Sequence, residues 1–435
     1  ALDIADEYEN LYYPFGQHIL SGAKLIAHHP NLYAVYLTNH GCGPDTMLSH
    51  LFKQEMGDKP YLQIEVDEHF SNVGVITRIE AFLNSLNHRP VEVLPKDFVL
   101  EQVDIRPCHL PAVPEKDFPL WLPPLGEYTA SLTGYFRAQG VDAHALPHLS
   151  AHALSLGRAE TSAKEYLPFP ALLGGILAQQ EVDPAPAQFL IPQTQGAEAD
   201  GQYARVIRAV LDRRGNQSAK LVSPMLETLP ATAQDRDALF RALLAGDILY
   251  AAPAAMRAGI AAAWDTLPGW AQLHKAAVEI GRCPATGRRL ATVGTPLCLT
   301  ELDSGVLSTL EAEGSQLLRA PLSEALWFLW KDNMDANKPC AKWLEQMAQE
   351  MQTIGAELGA HSTFAQDTAA LFETADTILP HFAGGNGRYR YAKAVELSGR
   401  ADAVLTLAPR YENAATILDM RGLRDACKAP LFQLS

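Results

Sequence analysis

Cys42 is the residue whose surroundings best suit cofactor chemistry. It follows the apolar run Tyr33-Ala-Val-Tyr-Leu37, stands between Gly41 and Gly43, and precedes Pro44, which suits the first turn of a helix. A strand–loop–helix of this kind points free backbone N–H groups and the positive end of a helix dipole at the sulfur. The thiol pKa falls, and an anionic ligand such as an iron–sulfur cluster is favoured. Glycine on either side lets the backbone approach a bulky group closely. A half-buried loop cysteine without a ligand is the competing reading. His40, two residues away, is placed to donate a hydrogen bond to the sulfur.

The segment around Cys42 occurs twice. Residues 32–59 and 401–428 each carry a short apolar strand beginning at Ala-Val, a polar loop and a helix. A proline-containing apolar strand follows each, Lys59-Pro-Tyr-Leu-Gln-Ile-Glu65 in the first copy and Ala429-Pro-Leu-Phe-Gln-Leu434 in the second. Without a gap Cys42 falls on Tyr411, and a one-residue shift places it on Glu412. The expectation is a tandem of related α/β units that has kept its chemistry unevenly.

Other groupings carry less. Ser162-Ala-Lys-Glu165 reads as a capping box opening a helix after Thr161. Asp67-Glu-His69 does not read as a metal triad, because adjacent residues in a strand-to-loop turn point in different directions. Gly384-Gly-Asn-Gly387 lacks the preceding strand and following Lys-Ser/Thr of a phosphate cradle, and reads as a turn. No Ser-His-Asp or Cys-His-Asn pattern is apparent.

Asn39-His-Gly-Cys-Gly-Pro-Asp45, Tyr61-Leu-Gln-Ile-Glu-Val-Asp-Glu-His69 and Gly74-Val-Ile-Thr-Arg-Ile-Glu-Ala-Phe82 together resemble one known family. This is the C-terminal, dehydratase-like region of the large activase-related proteins of the 2-hydroxyacyl-CoA dehydratase and benzoyl-CoA reductase system. The resemblance is close over residues 8–88 and weaker beyond. There Thr161-Ser-Ala-Lys-Glu-Tyr-Leu-Pro168 is similar to the family's T-S-x-K-E-C-x-P segment, and Gly196-Ala-Glu-Ala-Asp-Gly-Gln-Tyr203 to its G-P-C-R-x-G-Q-Y segment.

The resemblance implies a dehydratase-type unit holding an iron–sulfur cluster on three cysteines. In the second unit of this chain those positions are Tyr166, Glu198 and either Tyr411 or Glu412. Tyrosine and glutamate oxygens are hard ligands and replace thiolate poorly on iron, so that unit is expected to be a vestigial site without a cluster. Cys42 would be the third ligand of an earlier unit whose other ligands lie upstream, with a [4Fe-4S] cluster in the full-length parent. Lys164 would assist at a helix end facing a cluster or an acyl-CoA phosphate. No phosphate loop is present, so the family's ATPase part is expected upstream with further dehydratase-like domains. The chain opens at Ala1 without Met and reads as part of a longer polypeptide.

Composition narrows the classes further. A net charge of −15, with acidic residues spread along the chain, disfavours nucleic-acid partners. No apolar run approaches the ~18 residues of a membrane helix. Six cysteines without a C-x-x-C argue against a structural zinc or a disulfide framework, and a reducing cytoplasm is the expected compartment.

The positioning elements follow from periodicity. The sequence predicts an α/β protein of tandem Rossmann-like parallel-sheet units with a helical insertion. Residues 1–95 read as the C-terminal half of a first unit, 96–118 as a proline-rich extended linker, and 119–230 as the α/β subdomain of a second unit. Residues 231–323 read as the helical insertion, and 324–435 as an α/β subdomain opening with a strand at Ala325–Trp330. Two functions compete: a cluster-less scaffold or docking module, and an iron–sulfur redox component that uses Cys42.

Overall fold

A computed structural model of the chain describes residues 2–434 apart from 12, 40–42, 67–70, 97, 99, 101–102, 104, 106–108, 163, 195–198, 230–234, 265–266, 295–304, 334–340, 378–386 and 408–419. Helix α1 (Pro14–His28) leads into β1 (Ala34–Thr38), α2 (Gly43–Met56), β2 (Tyr61–Glu65) and α3 (Asn72–Leu86). The next set is β3 (Leu120–Leu122), α4 (Tyr128–Ala138), β4 (Ala143–Ala145), α5 (Ala151–Ala159), α6 (Pro168–Val182), β5 (Ala187–Leu190), α7 (Tyr203–Arg213) and β6 (Ala219–Val222). Three helices follow: α8 (Arg236–Ala251), α9 (Ala254–Ala262) and α10 (Trp270–Gly281). The last set is β7 (Arg289–Gly294), α11 (Val306–Ala312), β8 (Gln316–Arg319), α12 (Leu322–Asp332), α13 (Ala341–Leu358), α14 (Thr368–Asp376), α15 (Gly387–Ser398), β9 (Ala403–Leu407), α16 (Met420–Ala426) and β10 (Leu431–Leu434).

All strand pairs in these sheets are parallel, and the two four-stranded sheets share one order. In β4-β3-β5-β6, as in β8-β7-β9-β10, the first strand lies between the second and the third, with the fourth outside the third. The fold is α/β with tandem Rossmann-like parallel sheets, the class the sequence predicts. β1 and β2 form a two-stranded parallel pair that matches β9 and β10. Tyr61 follows its ladder partner Ala34 by 27 residues, and Leu431 follows Val404 by the same interval. One offset therefore serves both strands; matching Pro60 to Pro430 gives 430 − 60 = 370, which lays Cys42 on Glu412.

The middle sheet is covered on both faces by alternation along its strands. Phe189 and Leu221 enter one core with α6, α7 and α2, while Leu190 and Val222 enter another with α4, α8, α12 and α13. Buried charge ties the second core to the last sheet's helices. Asp247 of α8 accepts hydrogen bonds from the Tyr128 hydroxyl at 2.6 Å and from the first two amides of α12, Leu322 at 2.8 Å and Ser323 at 3.2 Å. Burial pushes its carboxyl up to about 6, against the opposing pull of those donors. One residue on, Glu324 is 2.7 Å from Lys393 of α15, and both are almost wholly buried.

Several expectations are corrected. Ala325–Trp330 lies inside α12 and is not a strand. Every residue from Leu322 to Trp330 is buried, so the helix is covered all round and its apolar residues from Ala325 to Trp330 show neither period. β7 and β8 fall within 231–323, so the helical insertion ends at α10 and the last α/β unit begins at β7. Ser162–Glu165 opens no helix; α6 starts at Pro168. Pro168 and Pro170 lack the N–H groups that a helix begun at Thr161 would need there. The end of the predicted linker is strapped to the middle sheet, since buried Gln188 of β5 bonds the backbone at Glu115 and Phe118.

Helices α5 and α6 cross with backbones in contact. A Cβ on Gly174 would lie 1.9 Å from the Ala153 carbonyl oxygen, and one on Gly157 only 1.8 Å from that of Pro170. Gly174→Ala should therefore lower urea-unfolding stability by about 1–3 kcal/mol. Gly259→Ala in α9, where an added Cβ meets nothing within 4 Å, should raise it by about 0.5–1 kcal/mol. Asp247 gives a pH signature. Because its folded pKa lies above the ordinary 3.8, its contribution is complete below about pH 4 and is lost as pH rises through about 6. Subtracting Asp247→Asn stability from wild type across that window should expose a fall on the order of 3 kcal/mol with rising pH. A flat difference would contradict it.

Candidate functional site

The described part of the predicted site lies where the first parallel pair meets the middle sheet. Helix α2 places Met47, Leu48, Leu51 and Phe52 on one face, an i, i+1, i+4, i+5 stripe that buries against Phe169, Tyr203, Val206 and Ile207. His50 comes from the same helix and reaches the loop before α6. Its Nε2 is 2.5 Å from Glu165 Oε1, and its ring packs near Phe169 at 5.9 Å between centroids.

Glu165 is held from all sides. The Ser162 hydroxyl donates to it at 2.9 Å, the Ser162 amide at 3.0 and 3.1 Å, and the Lys164 amide at 3.1 Å. Burial alone would raise its pKa, but the hydrogen bonds from His50 and the Ser162 amide outweigh burial and hold it at about 2. Half of the predicted capping box thus forms, turned to fastening a loop. Lys164 pairs with Glu65 at the end of β2, and burial lowers its pKa. Tyr166, 3 % exposed, belongs to the core cluster of Phe169 and Tyr203.

The same seam has further fasteners. Asn10, with φ of 62°, donates to the Thr194 carbonyl at 2.6 Å, and Gln202 donates back to the Asn10 carbonyl at 2.7 Å. Arg205 of α7 lies over the Tyr8 ring at 4.7 Å. Behind it, Lys24 bridges Glu7 and Glu55 at 2.9 Å each, and the Tyr8 hydroxyl donates to Glu55.

Lys164 and Tyr166 are therefore brought together with His50 and Glu65. Cys42, Glu198, Tyr411 and Glu412 lie outside the described residues, as do His40 and Asp67–His69. The strands leading to them occupy one place: β1 before Cys42, β5 before Glu198 and β9 before Tyr411 and Glu412, each matching the third strand of its sheet. The Cys42 loop is tied at its ends by Asp45, which accepts from the Thr38 hydroxyl at 3.1 Å and the Asn39 amide at 2.9 Å. Sequence reasoning missed this role, although an acid in a helix's first turn signals it. His50 and Glu65 carry no local signal at all.

The donor set at position 166 does not fit a thiolate-held cluster. A phenol oxygen is a hard ligand, and this tyrosine is packed into a core. A carboxylate with Glu165's depressed pKa is also a weak general base. The arrangement is suited to holding two units together. Comparison of the chain with protein-family models, with curated proteins and with solved structures gives no match. Among the described residues, no helix is long and apolar enough to cross a membrane.

Glu165 sets a second pH dependence of opposite sign. Its folded pKa lies below the ordinary 4.5, so its contribution is present above that value and is lost as pH falls towards 2. Wild type should exceed Glu165→Gln by on the order of 3 kcal/mol at pH 6. The gap should close on acidification to pH 2.5, as read by denaturant titration; a gap independent of pH would count against an ionised Glu165.

Proposed function

We propose that this chain is a non-catalytic, cluster-less scaffold that docks a partner through the first parallel pair. In the terms of the family it resembles, it would be a structural part of an acyl-CoA dehydratase activase-related protein. The observation that carries the reading is the incomplete sheet. Both four-stranded sheets pair their third strand with a first strand, yet β1, in the third place, pairs only with β2 among the described residues. Val35 and Leu37 on its outer face are 50 % and 61 % exposed, and α3 buries none of its residues. Parallel sheets are ordinarily covered on both faces, so an open edge and a bare apolar face fit a surface completed by another element.

The partner this surface suits is a parallel β–α–β element that supplies the first and second strand places. The ATPase and dehydratase-like domains expected upstream in the same polypeptide are the source we favour. The hard oxygen at Tyr166 supports the cluster-less half of the proposal.

Two measurements test the two halves separately. Anaerobic reconstitution with iron and sulfide should leave the 435-residue chain without a stoichiometric cluster. About four irons per chain, abolished by Cys42→Ser, would favour the redox reading instead. Sedimentation of the chain mixed with a polypeptide carrying the upstream ATPase and dehydratase-like domains should show association that Leu37→Lys removes while leaving the melting temperature in place. Failure of the two to associate would argue against an open docking face.

A further inference from the structure

A cavity of about 90 Å³ lies on the α4 face of the middle sheet, away from the seam described above. Its walls include Leu132 of α4, Leu243 of α8 and Leu326 of α12, together with Pro192 and Pro224 beyond the ends of β5 and β6. Residues from the middle sheet, the helical insertion and the last α/β unit all close on one space, so it is no slack within a single helix pair. It also touches the C-terminal ends of parallel strands, where open α/β sheets take their ligands.

The chemistry of the lining narrows the occupant. None of the lining side chains is charged, and only Tyr135 and Gln139 carry polar groups. An ion inside would lose its hydration without compensation. The lining is exposed at the strap, where Val113 keeps 41 % of its surface in solvent, so the space has a mouth. At about 90 Å³ the space is smaller than the apolar cavity of about 150 Å³ that takes benzene, so it admits only a small apolar group.

We infer that this cavity is a binding site for the end of a short, uncharged, unbranched aliphatic chain whose remainder leaves past Val113 and Gln139. The site is independent of the docking reading, since none of its walls belongs to β1, α2 or β2.

The test uses 1-butanol as the probe on the full chain, followed by saturation-transfer NMR and by calorimetry. Leu243→Phe fills the void from within, and Ala112→Phe narrows its exposed rim without entering the core. Wild type should bind saturably, and the loss of room for two or more methylenes should weaken binding by about tenfold or more. The filled variant should keep or raise its melting temperature. Should Leu243→Phe fail to fold, Ala112→Phe carries the comparison, and weakening in either folded variant supports the site. Absence of saturable binding, or affinity unchanged in both variants, overturns it.

Discussion

Parallel strands are ordinarily covered on both faces, and that constraint organises this chain. Phe189 and Leu190 of β5 point to opposite sides and are completed by different sets of helices. The last sheet obeys the same rule. Val404 packs with Tyr391, Ala394 and Leu397 of α15, while Leu405 faces Leu307 of α11. Helix α2 belongs to the first pair yet buries its apolar stripe in the middle sheet's core, so the N-terminal pair serves as a cover for its neighbour. Its own outer face is left bare, and the docking reading grows from that asymmetry.

Where apolar layers from different units meet, charge is used to fix their alignment. Asp247 satisfies two amides at the start of a helix to which it does not belong, a task usually left to a capping residue next in sequence. Glu324 and Lys393 repeat the device between α12 and α15. Buried pairs of this kind add little net stability over apolar packing, but a shifted helix would leave a charge unpaired at much greater cost. They restrict the units to one arrangement.

The sequence made the repeat and most of the parallel strands legible, because a strand buried on both faces is a short apolar run bounded by turns. Leu120–Leu122 is the clearest case. The same logic misled at Ala325–Trp330, where burial all round a helix erases its period and mimics such a strand. β7 and β8 were passed over because Arg289 and Thr292, or Gln316 and Arg319, break their apolar runs. At the site, the segment holding Lys164 and Tyr166 stands out locally, but the roles the structure gives them, an ion pair and a core ring, do not. The partners that explain them were not legible, since His50 and Glu65 reach that loop only through tertiary packing.

The distance in sequence between His50 and Glu165, 115 residues, also sets an order of events during synthesis. The ribosome makes β1, α2 and β2 before the loop and helices that cover α2. At about 5–20 residues per second, the Met47–Phe52 stripe waits on the order of ten seconds for its partner to be made. Closing so long a loop brings no reward until α6 and α7 have themselves taken shape. β1 and β2 are therefore fixed only after the middle sheet has been made, and during that interval the apolar stripe of α2 lacks its cover.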